Sequence, residues 1–455
     1  MRESRNGRNG GHGWNARLLL AGCLAVLLAP AVRGQPAPGG PLTVDQAVDE
    51  ALRNNPGLAA AAYDLKAARG TRLSSYSAVL PSISLQTQYS QTTSRYGEPR
   101  VDPFTNRIIT SETDDSYSLS GSVSQPIISP SDWYSVSAAG ASLAASRQTY
   151  RIARQDVILT VRQQFFNLVG AIRLQQVAAE ALSVAEEQLR RSQALFDLGS
   201  VARSDVLQAQ VNRATAERDE IAARNRVEQE RAFLATLLGR PVTEEIDVTT
   251  DLPEPAIEET GEAGEPAWIQ EAMRSKPELQ RARESSRAAH LDYRSAFWSQ
   301  FPSIDGSLFY SKTADSRADI WDLGHLKDDA RWGFTLGLRW DIFPGLSKIG
   351  AVQRTNAQAL AAREEVRRQE LQTELDVREA RIAIQNARES ISAAEASVQL
   401  AEENLKLQQA LYENGGGTIL ELNNAQAELT RARVSLVQAQ IDLHLAVAQL
   451  QRAIG

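Results

Sequence analysis

The sequence predicts an α+β fold assembled twice over, from long helical hairpins and four short β-strands. Three observations carry that expectation: an internal duplication, four segments that alternate apolar and polar residues, and two proline-free helical runs of exceptional length. Asn55-Pro56-Gly57-Leu58 returns as Lys276-Pro277-Glu278-Leu279, and Leu80-Pro81-Ser82-Ile83 returns as Phe301-Pro302-Ser303-Ile304, both offset by 221 (277 − 56 and 302 − 81). Further on, Leu195-Phe196-Asp197-Leu198-Gly199 matches Leu411-Tyr412-Glu413-Asn414-Gly415, and Ala209-Gln210 matches Ala425-Gln426, offset by 216 (411 − 195 and 425 − 209). A repeat unit of about two hundred residues is too long for a solenoid and reads as duplication of a half-molecule.

The chain begins with Arg2, Arg5, Arg8 and Arg17, an apolar run from Leu18 to Ala29, and a turn-rich exit from Pro30 to Gly40. This order is that of a secretory signal over 1–34. Leu20-Ala21-Gly22-Cys23 also resembles a lipobox, which would acylate Cys23, although the apolar run continues past the cysteine. Removal of an ordinary signal takes away the one cysteine, leaving no thiol for a disulfide or a thiolate metal site.

The first repeat is expected over 41–239. Thr43-Val44-Asp45-Gln46 reads as a capping box, and Pro56 divides the opening helical stretch into two pieces. Strands follow at about 82–90 and 116–125. In the first, Ile83, Leu85, Thr87 and Tyr89 alternate with serines and glutamines; in the second, Tyr117, Leu119, Gly121 and Val123 alternate with five serines. Residues from about Asp132 to Phe196 lack proline and predict a rod of roughly 100 Å, closed by a glycine turn and a returning helix.

An acidic linker over 240–267, with four prolines and nine carboxylates against one arginine, reads as a solvated strap between the copies. The second repeat, 268–455, carries strands at about 303–311 and 332–343. In the first of these Phe309 intrudes on the polar side; in the second Trp332, Phe334, Leu336, Leu338 and Trp340 alternate with small and polar residues. The second rod ends near Tyr412. Its returning helix holds a strict heptad, Leu422, Ala425, Leu429, Ala432, Leu436, Ala439, Leu443, Ala446 and Leu450, which demands a partner helix.

Strands of about ten residues with one apolar face suit either a membrane barrel or a soluble sheet wetted on one side. If they lie in a membrane, four strands cannot close, because open edges leave backbone groups unpaired in lipid, and several chains must share one barrel. The net charge of −7 and a pI near 5.4 argue against nucleic acid as a partner. The four histidines, His12, His290, His325 and His444, form no ligand motif, and no nucleophile elbow or phosphate-binding loop occurs. Enzyme activity, a cofactor and a metal site are therefore not expected. The remaining candidates are the two glycine turns, where Gly199 and Gly415 suit helix C-caps and Ser204 or Asp205 and Thr418 suit the N-caps that follow.

In their order and duplication, the Asn-Pro and Leu-Pro-Ser-Ile motifs, the glycine turns and the Ala-Gln-rich returning helices resemble the TolC-type outer-membrane efflux channel family, across all of the chain after the signal. The resemblance implies a homotrimer whose strands build one twelve-stranded barrel in outer-membrane lipid. It also implies a periplasmic α-barrel tapered shut at its inner end, working with a periplasmic adaptor and an inner-membrane pump or ABC transporter. In that family a tyrosine, an arginine and aspartates hold the taper closed. Tyr412 matches the tyrosine, Glu421 the first aspartate and Asp205 the aspartate of the first half, whereas Gly417 replaces the arginine and Asn424 the second aspartate. What remains of the lock is a ring of Glu421 carboxylates. Adaptor docking would fall at Leu198-Gly199-Ser200 and Asn414-Gly415-Gly416, and Trp332, Phe334, Leu336, Leu338 and Trp340 would face lipid. A soluble, exported coiled-coil scaffold is the alternative, and that apolar stripe, a hazard in water, argues against it.

Overall fold

A computed structural model describes residues 40–101, 108–251, 264–314, 320 and 330–455. The segment expected to be a signal, with Cys23 and His12, the middle of the acidic linker, and His325 lie outside the described residues.

Helix α1 (Val44–Asn54) opens on the expected capping box, with the Thr43 hydroxyl accepting from the Gln46 N–H and the Gln46 side chain accepting from the Thr43 N–H. Asn55 ends it and caps α2 (Pro56–Ser75), accepting from the Leu58 N–H at 3.1 Å. The hairpin β1 (Ser82–Val101) and β2 (Ile108–Ile128) leads to α3 (Pro130–Asp197) and α4 (Arg203–Leu238). The second copy repeats the plan: α5 (Gly264–Ser275), α6 (Pro277–Trp298), β3 (Ser303–Ala314), β4 (Ala330–Arg339), α7 (Ser347–Glu413) and α8 (Ile419–Ile454). The described residues contain no helix long and apolar enough to cross a membrane.

Both offsets survive in three dimensions. Gly239, after α4, packs on Asn54 at the end of α1; Gly455, after α8, packs on Ser275 at the end of α5. Subtraction relates the pairs (455 − 239 = 216 and 275 − 54 = 221). The helices form a wall. In the half nearer the sheet α2, α3, α6 and α7 lie side by side, and in the distal half the order is α4, α3, α8, α7. Its apolar core is a belt at mid-height, where Ala47, Phe165, Leu168, Leu234 and Leu238 pack with Ile441, and Val377 and Ile384 pack with Leu443 and Leu450. Gly170 lets Ile441 approach α3, since a Cβ there would stand 3.1 Å from Ile441 Cγ1. Most of the heptad of α8 is buried, as expected from its spacing.

Ion pairs, with Lys276 as a buried member, brace the belt. Lys276 meets Asp376, the Arg240 guanidinium clasps the Glu50 carboxylate, and Arg452 reaches Asp156 and Glu278. His444 stacks on Phe166 with centroids 4.8 Å apart, and burial first, then the Arg173 charge, hold its pKa below the usual imidazole range.

The strand bounds need correction. β1 runs well past 90 and β2 starts well before 116, so 91–101 and 108–115 belong to the hairpin's strands and not to the connection between them. Residues 91–95 and 111–115 are polar at every position, which erases the alternation while leaving the backbone free to pair. β4 stops at Arg339 rather than 343. There the chain leaves the sheet, the Trp340 indole donates to the Gln300 carbonyl at 3.1 Å, and Gly345 turns at φ 71°. The acidic strap is also less solvated than its composition suggests. Val248 forms a parallel bridge with Leu42, Ile246 and Val248 are buried in the belt, and α5 begins inside the stretch at Gly264.

Candidate functional site

The residues singled out in the sequence fall in two regions, the sheet and the hairpin tips. The sheet order is β1-β2-β3-β4, antiparallel throughout, so β1 and β4 each keep one unpaired edge among the described residues. Residues directly opposite one another share a face. Ile83 faces Val123, Tyr89 faces Tyr117, Val123 faces Leu308, and Leu308 faces Phe334, while Tyr310 faces Trp332 and Ile304 faces Leu338. One face is therefore mainly apolar, with Trp332, Phe334, Leu336 and Leu338 all on it and Lys312 (opposite Leu119) and Gln125 (opposite Gly306) among its polar exceptions. The opposite face carries Ser82, Ser84, Ser120, Ser122, Ser307 and Thr335.

Phe309 is on the hydroxyl face because Gly333 stands opposite it: a Cβ on Gly333 would come within 2.8 Å of the Phe309 ring. The aromatic ring covers the bare backbone, which explains the intruder seen in the sequence. At the ends of the apolar face stand aromatic residues. Tyr89 and Tyr117 pair at 4.9 Å, and Trp340 lies just beyond β4, so it marks the boundary of the face rather than belonging to the strand. An isolated chain leaves most of this face exposed; Ile83 and Trp332 are each more than three-quarters accessible. Such a surface belongs in lipid.

At the first tip Gly199 adopts φ 74°, and the Ser200 N–H donates to the Leu195 carbonyl at 2.9 Å. The second tip matches it, with Gly415 at φ 72° and the Gly416 N–H donating to the Leu411 carbonyl at 2.9 Å. Both are left-handed helix caps of the expected kind. The tips then diverge. Thr418 and Glu421 form a full capping box: the Thr418 N–H donates to Glu421 Oε2 at 2.8 Å and the Glu421 N–H donates to Thr418 Oγ1 at 3.3 Å. At the first tip the N-cap is Ala202, with no side-chain bond. Ser204 and Asp205 are already inside α4 and bond each other at 3.2 Å, so neither is the cap expected of them. The reason is the residue two places earlier, since Ala202 occupies the position of Thr418 (418 − 216).

Glu421 is exposed, and the Thr418 backbone N–H, followed by its hydroxyl, holds the carboxyl below the usual glutamate range. Tyr412 turns its hydroxyl inward, buried and without a hydrogen-bond partner. Asn424 is exposed. Gly417 has little room, since a Cβ would lie 3.2 Å from both Leu411 Cβ and the Tyr412 nitrogen. An arginine there would require the turn to shift. Other arginines tie the hairpins instead. Arg191 of α3 pairs with Glu413 of α7 at 2.9 Å, and Arg433 of α8 reaches Glu180 of α3 at 2.7 Å and Glu402 of α7 at 3.0 Å. Beside Arg433 a cleft of about 660 Å³ opens between the hairpins, lined by Val177, Val184, Asn212, Asn423 and Leu429. Sequence reading missed these ties, because Arg433 and Glu180 are 253 residues apart and no local pattern marks them.

A duplicated subunit with a one-sided apolar sheet and long paired helices defines one stave of a membrane channel. The family model for outer membrane efflux proteins matches residues 47–240 and 268–455. The chain belongs to that family. The outer membrane protein TolC of Vibrio cholerae is 26% identical over 410 residues, covering 90% of this chain and 89% of that protein. The pyoverdine export outer membrane protein OpmQ of Pseudomonas putida is 25% identical over 427 residues, covering 90% and 85%. Among solved structures, the CmeC outer membrane channel of Campylobacter jejuni superposes with a TM-score of 0.77 at 18% identity, covering 90% of this chain and 85% of that one. The protein is an outer-membrane efflux channel protein, not the soluble scaffold that stood as the alternative.

Proposed function

We propose that three copies join the open edges of β1 and β4 into one twelve-stranded barrel, and that the duct so formed passes cargo from a periplasmic adaptor and an inner-membrane pump. The observation that carries this reading is the sheet, mainly apolar on one face and unpaired at both edges among the described residues. A membrane barrel needs at least eight strands, and one chain offers four among its described residues. The hydroxyl face would line a wet, unselective passage, leaving choice of cargo to the pump. The turns at Leu198-Gly199-Ser200 and Asn414-Gly415-Gly416 would present the tips to the adaptor. Protein purified from outer membranes should run as a detergent-requiring, heat-modifiable trimer; a water-soluble monomer would sink the proposal.

The tips would form the closed end, with Arg191 and Arg433 as ties between the hairpins and Glu421 as a carboxylate ring, while Asp205 stands at the other tip. Because Glu421 also closes the capping box of α8, its alanine variant mixes two effects, a weakened cap and a lost charge. Glu421→Gln can keep the box and remove only the charge. In planar bilayers it should lower cation selectivity without changing the closed-state lifetime, and unchanged selectivity would remove Glu421 from the gate. Arg433→Gln should raise the open probability several-fold, since it removes the ion pairs that link α8 to both α3 and α7; traces like wild type would show the tie to be passive. The pH dependence follows from the sign of the Glu421 shift. A depressed carboxyl stabilises the cap above the ordinary glutamate pKa, and that stability disappears as pH falls through the lower folded value. Loosening of this tip is therefore expected only in acid, below the ordinary glutamate range, and not near neutrality.

A further inference from the structure

Where β2 runs into α3, the outer surface is notched. β2 pairs Pro126 with Asp305 but Ile128 with Ile304, so Ile127 is the extra residue of a bulge. The bulge brings both isoleucines to the apolar face. Ile128 sits opposite Ile304, and Ile127 Cδ1 lies 3.1 Å from the point where a Cβ of Gly306 would stand. One turn later α3 holds Trp133 outward, more than half exposed. Ile127, Ile128, Pro130, Trp133, Tyr134 and Ser137 together line a cleft of about 370 Å³, within the range of small-molecule sites.

The cleft has a polar margin. The exposed Arg294 guanidinium lies over the Tyr134 ring, 5.6 Å from its centroid. Its helix is fixed there, because the Ser295 hydroxyl donates to the Ser131 carbonyl at 2.8 Å. Asp132, in the same turn, is taken up by the Ser129 hydroxyl at 2.5 Å. Apolar walls continuous with the lipid-facing sheet, aromatic rings at the boundary and one cation on the helical side form the pattern of an amphiphile site.

We propose that this cleft seats one glycerophospholipid of the leaflet facing the helices, with an acyl chain against Ile127, Ile128 and Trp133 and the phosphate on Arg294. The proposal rests on the sheet lying in the outer membrane. A neighbouring copy does not fit the place, because copies meet at β1 and β4 whereas the cleft lies beside β2, inside the strand order. Trimers extracted in mild detergent and washed free of bulk lipid should retain one phospholipid per chain by native mass spectrometry. Ser137→Trp fills the cleft and should release the lipid while the trimer persists. Arg294→Gln should weaken retention about tenfold through loss of a charged hydrogen bond. Equal retention in wild type and Ser137→Trp would overturn the site, as would a cross-link from Ser137→Cys to a second chain. Failure of the wild-type protein to form trimers would instead refute the shared-barrel reading.

Discussion

Leu336→Arg is expected to abolish assembly in the outer membrane, while Thr335→Arg, one residue away, leaves it intact. Leu336 lies in the middle of β4 and pairs with Gly306, on the face that holds Ile304, Leu308 and Phe334. Arginine near the midplane of a membrane barrel costs about 2–4 kcal/mol. Every copy of a shared barrel carries the substitution, so the penalty multiplies with the number of chains. Gly306 offers no side chain to shield the charge, and the middle of the strand is too far from either aromatic boundary for easy snorkelling. Thr335 pairs with Ser307 on the hydroxyl face, where a guanidinium meets water. Heat-modifiability on gels of outer-membrane fractions reads the difference. Equal behaviour of the two variants would mean that the apolar face does not meet lipid.

The second large effect is expected at Gly239. Its φ of 74° lies in the left-handed region, and an added Cβ would stand 2.6 Å from the Asn54 carbonyl oxygen. Backbone atoms cannot rotate aside as a side chain can. The neighbouring Asn55 Nδ2 bond to the Leu237 carbonyl, at 2.9 Å, fixes the same junction. Gly239→Ala therefore combines positive-φ strain with overpacking, each about 1–3 kcal/mol, against a typical margin of about 5–15 kcal/mol. Gly199→Ala separates the two, because its φ is also 74° but nothing lies within 4 Å of its Cβ. Urea unfolding and outer-membrane yield should drop sharply for Gly239→Ala and slightly for Gly199→Ala. Similar losses would show that backbone strain alone sets the cost.

Chain-local signals were legible at particular residues. The Thr43 and Gln46 box, the break at Pro56, the turns at Gly199 and Gly415 and the Thr418 cap each rest on a few adjacent residues, so the sequence displays them directly. At the first tip the same logic misplaced the cap on Ser204 or Asp205, although Ala202 in place of the threonine was there to be read. The far ends of β1 and β2 stayed hidden because hydroxyl and charged residues on both faces give no period. Phe309 made sense only once Gly333 was seen across the strand.

By itself the sequence determined the duplication, the alternation of the strands and the length of the rods, because each is written in spacing along one chain, and its motifs carried the resemblance to the family. Only the tertiary structure decided which strands neighbour one another, that their apolar sides merge into a single face, and that Arg191 near the tips and Arg433 farther along α8 tie the hairpins. Those outcomes depend on contacts between residues up to hundreds of positions apart, where the energy lies in pairs and neither partner carries a mark of the other.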